Sequence, residues 1–379
     1  MEMTRTQFLV TVLALGSFGC GREPASAQAP GPNTDVNQLR SILRTESEKA
    51  GTQAVVFGMW VGDKEILTEA LGNTTPGVPA TTAMHYRIGG ITETFLSTVL
   101  LILFEKGEIN LDDKISKWFP DLLSADQVTV RMLAANTAGY PDYVHMKPWV
   151  DRLLSDPFKA FTDDELIAYA VADKKMAYAP PGSSQAYSHT EYVILGQIMQ
   201  RATGKSMKEL YETHVLGPAG LKDTQFPADA SIIQPPVLHS YMSDRGRYED
   251  ATGWTASWAL SYGGLTSNVH DLGKWGPIFG KGTLVSPASH KEITGPGSVG
   301  KAKNRADLYF GYGFIVANGW YLQNPDFNGY AGAFAYNPTN DVTLVVVSTK
   351  NEKPVTDPAA LPILREMVKY VTPATPLNF

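Results

Sequence analysis

Tyr86-Arg87-Ile88-Gly89-Gly90-Ile91-Thr92-Glu93-Thr94-Phe95 is the stretch whose reading decides the fold. A glycine pair opens an apolar run from about Ile91 to Glu105. In that run Phe95, Val99, Leu100, Ile102, Leu103 and Phe104 cover most of a helix surface, and Gly107 ends it. A helix that is apolar nearly all round belongs at the centre of a large core.

Working outward, the spacing predicts elements on both sides. Asp35 caps a helix to about Arg44, with Val36, Leu39, Ile42 and Leu43 on one face. Val55 to Trp60 and Glu65 to Leu71 read as two strands around Gly62-Asp63-Lys64. The middle of the chain is helical: Thr162 with Glu165 and Ser206 with Glu209 form capping boxes, and Gly204 closes a helix over Thr190–Ala202. The last third turns to strands at Phe310–Val316, Trp320–Gln323, Ala333–Tyr336 and Val342–Ser348. Asn318-Gly319 and Thr339-Asn340-Asp341 are the hairpin turns between them, and a helix over Pro358–Tyr370 ends the chain. The expected fold class is α+β, an α/β sandwich. One antiparallel sheet is built from both chain ends (30–90 and 256–379) and a helical domain (91–255) is inserted between them.

Composition narrows the function classes. The chain has 379 residues, 43% of them apolar, a net charge of −6 and one cysteine. The mild acidic excess argues against a nucleic-acid partner, and one cysteine excludes a disulfide scaffold. Residues 1–29 read as an export signal and linker: the apolar run Phe8 to Phe18 is too short to span a bilayer. Two endings fit this segment, cleavage after Ala27 in Ala25-Ser26-Ala27 or lipid attachment at Cys20. The expected location is therefore periplasmic or secreted, free or lipid-anchored. No metal-ligand spacing, phosphate loop or dinucleotide fingerprint occurs, so no cofactor is expected and the expected partner is a small molecule.

The opening stretch resembles the active-site segment of the serine β-lactamase and penicillin-binding-protein superfamily, nearest the branch of class C β-lactamases, DD-peptidases and esterases. Four more segments agree in order and spacing: Leu133 to Tyr143 (LAANTAGYPDY), Pro181-Gly182 with Tyr187-Ser188-His189-Thr190, Gly204-Lys205-Ser206 through Thr224, and Gly263 to Ser267 with Asp271-Leu272. The resemblance implies a sheet domain with a helical insertion and a cleft at the amino end of the long helix. In that family a Ser-x-x-Lys motif supplies an acylated serine and an activating lysine, and a Tyr-x-Asn motif assists. Here Gly90 stands at the serine position, Glu93 at the lysine position and His189 at the asparagine position, while Tyr187 is retained. The third family motif, Lys- or His-x-Gly, falls near Gln323-Asn324-Pro325, which holds neither lysine nor histidine.

Glycine has no oxygen to acylate, so the resemblance does not imply covalent hydrolysis. It does imply that Glu93, Tyr187 and His189 meet, with a Glu93–His189 contact, as a set of proton-transfer groups. Gly90 offers a backbone N–H at a helix start for an oxyanion. Asn136, Tyr140, Trp258 and Tyr330 are candidate substrate-binding residues. Tyr143, Trp149, Trp254, Tyr262 and Trp320 are further aromatic residues of the cleft segments, and about half of the aromatic set is expected to be core. Ser298-Val299-Gly300-Lys301 is a literal Ser-x-x-Lys outside the expected place. Three readings follow: a repurposed enzyme using non-covalent acid–base chemistry on a small carbonyl compound, a ligand-binding pseudoenzyme, and residual hydrolysis of esters, amides or β-lactams through an activated water.

Overall fold

The structure is a computed structural model that describes residues 31–295, 297–353, 355 and 358–377. The expected signal segment and Cys20 lie outside the described residues. Pro32–Phe379 packs as one unit.

The first helix, α1 (Val36–Ala50), is capped by the Asp35 carboxylate, which accepts from the N–H groups of Asn37 and Gln38, and it stops at left-handed Gly51. Strands β1 (Thr52–Val61) and β2 (Lys64–Thr75) form a hairpin through Gly62, and a short β3 (Val78–Pro79) continues it. The long helix α2 (Thr92–Glu105) follows a 3-10 turn at Gly89–Ile91, and it is buried along most of its length. Helix α3 (His189–Thr203) ends at Gly204 as expected but begins at His189, one residue earlier than the pattern suggested. Helix α4 (Val269–Lys281) is capped by Asn268. Both predicted capping boxes are present, Thr162 with Glu165 and Ser206 with Glu209.

The carboxyl-terminal strands are β4 (Leu308–Phe310), β5 (Ile315–Ala317), β6 (Trp320–Gln323), β7 (Asp326–Phe327), β8 (Tyr330–Asn337) and β9 (Val342–Lys350), followed by helix α5 (Ala360–Val371). The expected single strand over Phe310–Val316 is two strands. Gly313, at φ 78°, turns the chain inside it, and a Cβ there would stand 2.7 Å from the Glu93 carbonyl oxygen. A turn that must press against a helix backbone leaves no mark in an alternating pattern.

The main sheet runs β3-β2-β1-β9-β8-β6-β5-β4, with β7 beside β8, and the pairings along this path are antiparallel. Early and late strands meet where β1 pairs with β9, Val56 facing Val347. Alternation along these two strands divides the core into two layers. Val55, Phe57, Met59, Leu344 and Val346 pack under α1 and α5. Ala54, Val56, Trp60, Val345 and Val347 join α2, α3 and α4 in a second cluster on the other face. Covering both faces explains the nearly unbroken apolar run in β9. The chain thus has the α+β architecture expected, an antiparallel sheet flanked by helices, and the site lies where α2, α3 and the β6–β7 end of the sheet converge.

Candidate functional site

The backbone brings these elements close. Gly89 adopts φ 51°, and a Cβ there would stand 2.6 Å from the Pro325 Cβ, so only glycine lets the start of α2 pass the β6–β7 connection. Beside it Gly90 opens onto a cavity of about 560 Å³ lined also by Gln185, Tyr187, His189, Trp258, Tyr262, Gln323, Asn324 and Phe327. Trp258 and Phe327 stack with centroids 4.5 Å apart and form an aromatic wall. A Cβ at position 90 would lie 3.0 Å from Gln323 Oε1 and 3.4 Å from Glu93 Oε1, so these two side chains crowd the space beside Gly90.

Glu93 lies in the first turn of α2 and is fully buried. The Tyr187 hydroxyl donates to its Oε1, and Gln323 Nε2 donates to Oε2 at 3.0 Å. Gln323 Nε2 also reaches the Gly313 carbonyl at 2.6 Å. Burial pushes the Glu93 carboxyl well above its usual range; the bonds from Tyr187 and Gln323 oppose this, and the Asp142 charge adds to it. Burial and the adjacent Glu93 raise the Tyr187 phenol in turn. The tyrosine as a whole is 39% exposed, so one side chain faces the opening while its hydroxyl is held by a buried carboxyl group.

His189 is the first residue of α3, and its position is fixed from the preceding residue: the Ser188 N–H donates to Asn136 Oδ1. The expected contact between Glu93 and His189 is replaced by two separate pairings. His189 Nδ1 bonds Asp142 Oδ2 at 2.8 Å, and the imidazole packs edge-on to Tyr187 at 4.8 Å between centroids. Asp142 caps a 3-10 turn through the Val144 N–H, and its side chain is nearly buried. A carboxylate on Nδ1 orients the ring and leaves Nε2 for chemistry.

The other candidates separate clearly. Gly90, Tyr187, His189 and Trp258 line the cavity, and so does Tyr262. Asn136 is buried at φ 53° and holds the α3 start from behind. Tyr140 is core, its hydroxyl donating to the Leu123 carbonyl at 2.6 Å. Tyr330 is core, donating to the Leu238 carbonyl at 2.5 Å. Tyr143, Trp149, Trp254 and Trp320 are also buried outside the cavity lining. Ser298 is buried, its hydroxyl donating to the Phe310 carbonyl at 2.6 Å, and Lys301 donates to the Gly182 carbonyl; the literal Ser-x-x-Lys staples a loop.

Asp142, Gln323 and Phe327 are the site residues that sequence reasoning passed over as functional groups. Asp142 sits in the LAANTAGYPDY segment and Gln323 in the stretch where a lysine or histidine was sought. Their partners are 47 and 230 residues away in the chain.

The Beta-lactamase family model matches residues 39–368. Penicillin-binding protein 4* of Bacillus subtilis is 27% identical over 191 residues, which cover 49% of this chain and 41% of that protein. This chain therefore spans less than half the length of that relative. Among solved structures, the D-stereospecific amidohydrolase of Streptomyces sp. superposes with a TM-score of 0.76 at 22% identity, covering 88% of this chain and 98% of that one. The D-amino acid amidase of Ochrobactrum anthropi SV3, complexed with L-phenylalanine amide, gives 0.74 at 23% identity, with 89% and 97% covered. At these identities the structural likeness speaks for the fold alone. The family match spans most of the chain, and the chain belongs to the Beta-lactamase family.

Proposed function

We propose that this chain is an exported protein that binds a small, ring-bearing carbonyl compound beside Gly90 and acts on it by non-covalent acid–base chemistry. The observation that carries the reading is His189, which lines the cavity together with Gly90 and is held at Nδ1 by Asp142. His189, with Nδ1 occupied, transfers the proton through Nε2. The Gly90 backbone N–H, at the amino end of α2, stabilises charge developing on the carbonyl oxygen. Tyr187, whose hydroxyl donates to Glu93, offers its ring to the ligand at the cavity wall. The amide named with the Ochrobactrum amidase and the hydrolytic relatives make aromatic amides and esters the first compounds to try. The apolar run at Phe8 to Phe18 supports export.

One observation favours a second reading, ligand binding without turnover: Glu93 is fully buried with both carboxyl oxygens engaged, an arrangement that needs no catalytic role. Turnover of an aryl amide and ester panel by the wild type, His189→Ala and Glu93→Gln distinguishes the two. The enzyme reading predicts at least a 100-fold loss in His189→Ala with the fold intact. Unchanged rates in both variants would sink it, and saturable binding without turnover would install the second reading. Acylation by a penicillin, seen as a mass adduct, would overturn both.

A further inference from the structure

The charge of the cavity wall restricts what the cavity accepts. Among the described residues that line it there is no lysine or arginine. Lys301, close by in sequence to the lining residue Asn304, is engaged at the Gly182 carbonyl. Asn304 itself donates to Gln185 across the mouth at 3.2 Å. The fixed charge in the lining is Asp326, at the rim, with Lys350 Nζ 3.7 Å from its carboxylate and outside the lining. The positive element of the floor is the amino end of α2, worth about half an elementary charge, and it carries Glu93 in its first turn.

We infer that the ligand of this cavity is an uncharged aromatic amide or ester and that compounds bearing a free carboxylate are excluded; the inference rests on the cavity being a ligand site. A carboxylate entering between Trp258, Phe327 and Tyr262 would shed water without meeting a lysine or arginine, which is costly. At the rim the Lys350 ammonium lies against Asp326, so that pair offers it no net positive charge. A neutral carbonyl meets none of these penalties. Polar partners for it are at hand in the Gly90 N–H and the Asn324 amide. The indole N–H of Trp258, on the aromatic wall, is buried without an acceptor and is itself donor-only. The volume of about 560 Å³ falls within the range of small-molecule sites, roughly 300–1,000 Å³.

The test is calorimetric binding of N-acetyl-phenylalanine amide, its methyl ester counterpart and N-acetyl-phenylalanine to the full chain at neutral pH, repeated with Asn324→Lys. The amide and ester are expected to bind at least tenfold more tightly than the acid, and the lysine variant to close most of that gap by strengthening the acid. Acid affinity equal to or above that of the amide in the wild type would overturn the exclusion while leaving the cavity a ligand site. A gap that the lysine leaves untouched would overturn charge as its cause. Failure of all three compounds to saturate the protein would remove the ligand-site reading itself.

Discussion

Two buried glutamates stand within one layer of the molecule and are held in opposite ways. Glu191, two residues into α3, receives three backbone N–H groups, from Ala138 at 3.2 Å, Gly139 at 2.8 Å and Tyr140 at 3.1 Å. Glu93 receives only side chains, Tyr187 and Gln323. Both are fully buried. A carboxylate gripped by the backbone is architecture: it fixes the loop that carries Asn136 and Asp142 to α3. One gripped by side chains that line a cavity belongs to the site, because either partner can be replaced without refolding a loop. A buried acid is read by what holds it, and by that measure Glu191 sets the frame and Glu93 belongs to the site.

The difference can be broken by substitution. Glu191→Ala strands three backbone donors and is expected to lose on the order of 3 kcal/mol or more, measured by urea unfolding. A loss under about 1 kcal/mol would make the two glutamates equivalent. Its titration is the next effect. Burial lifts Glu191 to about 8 against the three N–H bonds. The folded value stands above the unfolded one of 4.5, so the folded state binds the proton more tightly. That contribution is complete below about pH 4.5 and is lost as the pH rises through 8. The urea midpoint of the wild type should therefore fall between pH 5 and 8 relative to that of Glu191→Gln; parallel profiles would refute it.

Glu93→Gln keeps an acceptor for Tyr187 and removes a group that burial disfavours when charged, but it sets an amide NH2 against the Gln323 Nε2 donor. Its stability is expected to fall by about 1–2 kcal/mol, less than in Glu191→Ala, while turnover and ligand affinity carry the larger change. The smallest effect is expected of Gly90→Ser. The new Cβ presses only on the end of the Gln323 side chain, so the melting temperature should move by a few degrees at most. No penicillin adduct should appear by mass spectrometry, because Glu93 offers no ammonium group to activate the new hydroxyl. A stoichiometric adduct would show that the serine alone suffices.

The frame was legible because it rests on local signals. Asp35, the Thr162–Glu165 and Ser206–Glu209 boxes, Gly204 and Asn318-Gly319 each act within four residues, and each is where the sequence puts it. The apolar run after Gly90 is likewise a short-range pattern, and it forms the buried α2. The site was legible only in its membership. Gly90, Tyr187, His189 and Trp258 share the cavity, but the partner of each polar group is settled by distant chain. Glu93 turns to Gln323 and His189 to Asp142, so the pairing of Glu93 with His189 implied by the family gives way to nearer partners. Tyr140 and Tyr330 looked like cleft residues because they sit in the matching segments, yet each hydroxyl finds a backbone carbonyl in the core.

The Gln323 amide has one further consequence. Its Nε2 is shared between the Glu93 carboxyl on α2 and the Gly313 carbonyl in the turn between β4 and β5. One nitrogen thus rivets a helix to a hairpin beneath the cavity floor. A ligand that pried this amide away would have to break two buried hydrogen bonds together. The floor therefore behaves as a rigid anvil, and any adjustment of fit falls to the mouth, where Gln185 and Asn304 hold each other by a single longer bond.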